Sequence, residues 1–339
     1  MMESNNTPKI DIFDDSLDFE GFDRLVVFYN PESTRNKRKY KKAIGELVTS
    51  GYFIEDPKII VTVGDRKIDI DQLKSNVKRG DLVVGWVGDG YANAIGEALI
   101  SDELYDKDVP AFFLWGGNGV DLARQTNGTI SKKHPSRALK QHKIVEVNPI
   151  IAKFTNDEEL ERYAFSYLGF GNMAELTRQL NDPSYRAKLF HSFAPVRLLR
   201  ESRKVMSHLP HFEEFVVGRD VIDECGVKTG QEEKVLQELI FSNGSRIAKF
   251  GRFALNLNDK YIFMNELEKG NLFNILRWSA NLATERAQGE YIPLGNSCNF
   301  KLMSESKYHV DGEHFSLPSE TKVEVSLSER SLKVVSTLL

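Results

Sequence analysis

Near Lys143 the spacing of apolar residues changes, and that change limits the chain to a two-part fold. Upstream, short apolar runs alternate with stretches of helical period. Residues 25–29 (LVVFY), 59–63, 81–86 (DLVVGW) and 111–115 are the runs. Tyr40, Ala43, Ile44, Leu47 and Val48 recur at helical spacing between the first two, and residues 91–100 form a second helix. Strands that are apolar throughout and alternate with helices predict a parallel sheet covered on both faces. Downstream, residues 162–170, 236–242, 261–264, 299–303, 307–310 and 322–327 read as short strands, which predicts an antiparallel β domain. Helical stretches at 183–209 and 271–284 interrupt it.

Charge excludes some functions. Residues 1–21 carry six acids against Lys9, a net of −5, so the remainder of this 339-residue chain of net −4 stands at +1. That near-neutral body lacks the basic balance of a nucleic-acid binder, and the acidic lead reads as a solvated tail. Cys225 and Cys298 lie too far apart in the sequence to suggest a disulfide framework or a thiolate metal cluster, and they fit a reducing cytoplasm. The sequence holds no long uninterrupted apolar run and no signal-like start, which predicts a soluble or peripheral protein.

Chemistry concentrates where strands end. Gly85-Trp86-Val87-Gly88-Asp89-Gly90-Tyr91 runs from a strand through a glycine turn into a helix. Glycine lets backbone N–H groups approach a phosphate, and the helix N-terminus favours its charge. Asn30-Pro31-Glu32-Ser33 ends the first strand and Gly116-Gly117-Asn118-Gly119 the fourth. In an open α/β sheet these ends share one edge. Near the C-terminus, strand alternation puts His309, Asp311 and Glu313 on one face.

In this order the segments Asn30-Pro31-Glu32-Ser33-Thr34, Val87-Gly88-Asp89-Gly90-Tyr91-Ala92-Asn93-Ala94, Gly117-Asn118-Gly119-Val120-Asp121-Leu122-Ala123-Arg124 and Asp311-Gly312-Glu313 resemble four signatures of the diacylglycerol kinase catalytic-domain family. Those signatures are NPxSG, GGDGT with N-E, GTGND with A-R, and DGE. The family includes sphingosine kinases and bacterial lipid kinases and is related to NAD kinases. The resemblance spans residues 25–335 and is thin over 181–235.

It implies a Rossmann-like three-layer α/β nucleotide domain at 22–143 and a C-terminal antiparallel β-sandwich at 144–327. Residues 328–339 would return to the first domain. It further implies an ATP- and Mg²⁺-dependent kinase of a lipid alcohol, diacylglycerol or sphingoid-like, working in the cytoplasm or peripherally at a membrane. Asn30, Ser33, Gly88, Gly90, Tyr91 and Asn93 would line the nucleotide phosphates, and Gly117, Asn118, Gly119 and Asp121 would close the site. Glu313, Asp89 and Asp311 would be the catalytic carboxylates. A catalytically impaired binder of nucleotide or lipid is the alternative, and an NAD kinase relative is disfavoured by the Asp-Gly-Glu ending.

Departures from the signatures carry their own expectations. Tyr91 for Thr and Val87 for Gly predict a crowded phosphate turn. Asn118, Val120, Ala94 and Thr34 are further replacements, with Glu97 one helical turn beyond Ala94. Asp259-Lys260 stands where the family has an aspartate and glycine, so no metal ligand set emerges there. The basic and apolar stretch 183–204, with Arg197, Arg200, Arg203 and Lys204, reads as a membrane-approach helix or a partly buried one. His309, Asp311, Glu313 and His314 could be read as a transition-metal cluster, but with no second ligand cluster in the sequence His309 reads as a strand residue with a hydrogen-bonded ring.

Overall fold

The computed structural model describes residues 22–31, 37–49, 53–115, 121–127, 143–182, 213–222, 228–247 and 258–337, with positions 135, 139, 251–252 and 255–256. In the N-terminal half, β1 (Arg24–Tyr29), α1 (Lys37–Val48), β2 (Lys58–Val61), α2 (Arg66–Asn76), β3 (Asp81–Val87), α3 (Asp89–Ile100), β4 (Ala111–Trp115) and α4 (Asp121–Asn127) alternate, and β5 (Lys143–Val147) follows. The sheet order is β2-β1-β3-β4-β19-β5, where β19 (Leu332–Ser336) is the last strand of the chain. Every pair is parallel except β19 with β5.

Burial on both faces explains the continuous apolar strands. Val26, Phe28, Val83 and Phe113 pack with Leu73 of α2 and with Ile95 and Leu99 of α3. Leu25, Val27, Leu82 and Val84 pack with Ala43, Ile44 and Leu47 of α1. The register Val27↔Val84↔Phe112 aligns the strands so that their C-terminal ends share one edge.

The second half is an eleven-stranded antiparallel sheet. Its elements are β6 (Ile150–Thr155), β7 (Glu159–Ala164), β8 (Tyr167–Gly171), α5 (Asn172–Asn181), β9 (Phe215–Ile222), β10 (Lys228–Ser242), β13 (Tyr261–Glu268), α6 (Leu272–Ala283), β14 (Glu290–Pro293), β15 (Ser297–Leu302), β16 (Ser306–Val310), β17 (Glu313–Leu317) and β18 (Lys322–Leu327). A small pair, β11 (Arg246–Ile247) and β12 (Gly251–Arg252), stands apart. The path runs β17-β16-β8-β10-β9-β15-β18-β6-β7, with β13 and β14 branching from β10. Inward residues from both ends of that path, such as Phe154, Phe170, Phe241, Phe300 and Tyr308, meet in one core, so the sheet folds over itself like a sandwich.

Three local readings change. Residues 162–170, expected as one strand, divide at Phe165 and Ser166, because the amides there turn toward a buried carboxylate. Helix α2 escaped notice because its sequence RKIDIDQLKSN buries only Asp69 and Leu73. Helix α5 was hidden by following β8 without a loop.

The chain crosses between domains twice, at 148–149 and 328–331, and the crossings are tied together. Asn148 Nδ2 donates to the Ser328 carbonyl (2.9 Å) and the Ser328 amide to the Pro149 carbonyl (2.8 Å). The domains also share a core contact. Phe165 lies against α3, whose Gly96 would place an added Cβ 2.5 Å from the ring, and it packs with Ile95 and Leu99.

Candidate active site

The site begins where β3 stops. Gly88 is the N-cap of α3, and a Cβ built there meets none of the described residues within 4 Å. Two residues on, a Cβ at Gly90 would stand 2.2 Å from Glu313 Oε1, so the second glycine is the floor on which a carboxylate of the other domain rests. Between them, Asp89 Oδ1 accepts the Asp121 amide (3.0 Å) and joins the starts of α3 and α4. Asn30 stands at the end of the neighbouring β1, its amide donating to the Trp86 carbonyl (3.4 Å). The strand ends and the helix start are thus assembled by ordinary parallel-sheet geometry.

The late carboxylates come from the β16–β17 hairpin. Asp311 and Gly312 both have positive φ (45° and 88°), the two-residue turn that matches strand twist. That turn sends the two acids to different tasks. Asp311 Oδ2 accepts from the Phe165 amide (2.6 Å) and Asn93 Nδ2 (3.0 Å), and Oδ1 from the amides of Ser166 and Tyr167 (2.9 Å each). Burial raises its pKa, against the opposing pull of these four bonds. Asp311 is therefore a strut that fixes the β7–β8 turn and α3 to the hairpin. Glu313 is half-exposed, and its Oε2 accepts from Arg66 Nη1 at 2.7 Å.

A small cavity of mixed lining, with Ala92, Leu122 and Phe165 among its walls, separates α3 and α4 from the β7–β8 turn. Asp89, Asn93, Asp121, Ser166, Tyr167 and Asp311 line it. The Tyr167 hydroxyl is pushed well above its usual pKa by burial and then by Asp121, Asp89 and Asp311. Asn93 spans the cavity wall, donating to the Tyr163 carbonyl (2.6 Å) as well as to Asp311.

The two replacements at the phosphate turn, Val87 and Tyr91, each have packing partners of their own among the described residues. Val87 is fully buried in the core rather than in the turn. Tyr91 packs on Phe28 (ring centroids 5.8 Å apart), and its hydroxyl donates to Asp69 Oδ2 on α2 (2.7 Å). Burial, followed by that bond, pushes the Tyr91 hydroxyl to about 12. Asp69 also accepts the amides of Val63 and Gly64 (2.8 and 3.2 Å), so the tyrosine is drawn sideways into the β2–α2 junction.

His309 lies within β16 as a strand residue, but among the described residues neither of its ring nitrogens has the expected hydrogen-bond partner. His309 is 1% exposed, and burial lowers its pKa to about 3. Asp311 is occupied by amides, and no group of three candidate ligands gathers among the described residues. Ser33, Gly117, Asn118 and Gly119, together with the basic stretch 183–209, lie outside the described residues. No helix among those described is long and apolar enough to cross a membrane.

No family model matches the chain, and no curated protein matches its sequence. Solved structures do. A diacylglycerol kinase from Bacillus anthracis strain Sterne aligns with TM-score 0.59 and 16% identity, covering 93% of this chain and 97% of that one. Two structures from the same strain, each named as a candidate diacylglycerol kinase, align over the same shares with TM-score 0.61 and identities of 15% and 16%. The chain has a diacylglycerol kinase fold. At this identity the likeness establishes the fold alone.

Within that diacylglycerol kinase fold, two site residues carry no motif signal. Arg66 opens α2, which forms because Gly64 adopts φ +92° and Asp65 caps the amides of Lys67 and Ile68 (3.0 and 3.1 Å). Tyr167 opens β8 and reads as a plain apolar strand residue. The sequence signal there is a Gly-Asp pair before α2, although Asp65 is itself the N-cap whereas in Gly88-Asp89 the glycine is.

Proposed function

We propose that this protein is an ATP- and Mg²⁺-dependent lipid kinase that phosphorylates the hydroxyl of a lipid alcohol, diacylglycerol or sphingoid-like. One observation carries the reading. Glu313, from the β domain, rests on Gly90 at the start of α3, next to Asp89 of the other domain. A glycine-lined helix start can cradle phosphate oxygens, and carboxylates beside it can hold Mg²⁺ and orient the attacking hydroxyl, the parts that phosphoryl transfer uses. Gly88, where an added Cβ meets none of the described residues within 4 Å, would admit the nucleotide phosphates to the first N–H groups of α3.

The oxygen donors beside that turn fit Mg²⁺, which is held by one or two carboxylates together with water and phosphate; Asp89 and Asp121 would supply them. When bound, the ion neutralises phosphate charge. Glu313 orients the acceptor hydroxyl and takes its proton as the acceptor oxygen bonds to the γ-phosphorus and ADP departs. Asn93 and Asp311 hold the β7–β8 turn against α3 so that the two carboxylates keep their separation.

Radiolabelled transfer from Mg·ATP to a panel of lipid alcohols in mixed micelles tests this, with NAD as a water-soluble control. Lipid phosphorylation that falls roughly 10²- to 10⁴-fold in Glu313→Gln, with ATP affinity kept, is the expected result. Phosphorylation of NAD alone, or of no acceptor at all, would overturn it.

A further inference from the structure

We infer that Arg66 is a positioning residue for this reaction: by holding Oε2 of Glu313, it leaves Oε1 as the oxygen presented to the acceptor. The inference rests on the lipid-kinase reading and goes beyond it by choosing between the two oxygens. Arg66 is the first residue of α2, and its guanidinium reaches three groups. Nη1 donates to Glu313 Oε2 (2.7 Å), Nη2 to Asn93 Oδ1 (3.4 Å), and Glu97 Oε2 lies 3.8 Å from Nη2.

Asn93 completes the arrangement, since its Nδ2 donates to Asp311. The two acids of the Asp-Gly-Glu turn are thus held from the nucleotide domain by one connected path, Asp311 to Asn93 to Arg66 to Glu313. The path runs through both ends of a single side-chain amide. A shift of the hairpin relative to α3 would therefore move both carboxylates together.

A carboxylate needs such a partner. Its terminal torsion is broad and two-fold, so a free glutamate at the end of a hairpin presents either oxygen in a range of directions. Glu313 and Arg66 have side chains 38% and 40% exposed, so the pair adds little to stability. Its consequence is direction: with Oε2 taken, Oε1 is the atom beside Gly90. Glu97, whose pKa burial raises against the opposing pull of Arg66, approaches the guanidinium at Nη2 rather than at the Nη1 that holds Glu313.

Removing the guanidinium should free the torsion while leaving the nucleotide turn intact. Arg66→Ala should lower kcat roughly 10- to 100-fold with KM for ATP little changed, and the thermal midpoint should stay near that of the wild type. Arg66→Lys, which keeps a point charge but loses the fork, should fall between the two. In a Glu313→Gln background, Arg66→Ala should change kcat by less than about twofold, because the group it positions is already gone.

An unchanged kcat in Arg66→Ala overturns the inference, as does an equal loss in both backgrounds or a loss confined to KM for ATP. If Arg66→Ala does not fold, the Arg66→Lys cycle with Glu313→Gln gives the same decision. A wild type that phosphorylates no lipid fails the kinase reading itself, and the inference falls with it. An active wild type with unimpaired Arg66 variants fails the inference alone.

Discussion

Gly90→Ala separates the two sides of the phosphate turn. Alanine is the better helix former, and Gly90 has no positive φ, so the backbone accepts the change. The new methyl would stand 2.2 Å from Glu313 Oε1, 3.0 Å from Cδ and 3.4 Å from Cγ. Ordinary contact distances then force the carboxylate back by at least about 1 Å. Glu313 is the half-exposed end of a flexible side chain, so it can move by that amount, at the cost of its contact with Arg66, which adds little to stability. A misplacement of this size in a reacting group costs on the order of 10²-fold, so kcat for lipid phosphorylation should fall by about that factor. ATP affinity by calorimetry and the thermal midpoint should hold. Gly88→Ala is the matched control: its methyl meets none of the described residues within 4 Å, so the protein should fold and lose ATP affinity instead. If Gly90→Ala kept full turnover, Glu313 would not act from its place above Gly90. If it lost ATP affinity with kcat intact, the turn would be divided the wrong way.

Two further predictions concern buried acids. Asp311→Ala strands the amides of residues 165–167 and the Asn93 side chain, and urea unfolding should show a loss of at least about 3 kcal/mol. Glu238 is fully buried, and burial raises its pKa well above 4.5 although the amides of Met173 and Asn172 oppose this. Its contribution to stability is therefore complete below about pH 4.5 and is lost as pH rises toward the folded value, at about 1.4 kcal/mol per pH unit. His309, with its Nε2 4.0 Å from Glu238 Oε1, has the opposite sign: its folded value is lowered, so its contribution is complete above pH 6.5 and is lost as pH falls toward about 3. Glu238→Gln should remove only the alkaline decline, seen as a thermal midpoint that exceeds wild type increasingly above pH 6.5. An unchanged difference from pH 6.5 to 8 would mean that Glu238 is ionised in the folded protein.

The fold class was legible because both halves obey a single period over many residues. Strands such as 81–87 are apolar on both faces, and no surface sheet can use them. Local boundaries were less legible where a side chain far away decides them. The break at Phe165 and Ser166 depends on Asp311, nearly 150 positions later. The substitution at Tyr91 looked obstructive in one dimension, since nothing in the glycine turn reveals that Asp69 draws the ring aside. Arg66 was invisible for a similar reason: Asn93 and Glu97 lie on another helix, and Glu313 is 247 positions away. Motifs locate groups that lie close together in sequence, whereas the Arg66 contact is made by three elements.

The return of β19 into the first sheet bears on how the protein is made. Between β4 and β5 the sheet has a gap one strand wide until residues 332–336 arrive, although β5 itself ends at Val147. A nascent chain leaving the ribosome must hold the first domain with that gap open while nearly two hundred further residues are synthesised. During that interval the facing edges of β4 and β5 have unpaired backbone groups, a template for pairing with the wrong strand. Stalled or truncated products should therefore misfold in the half of the protein synthesised first.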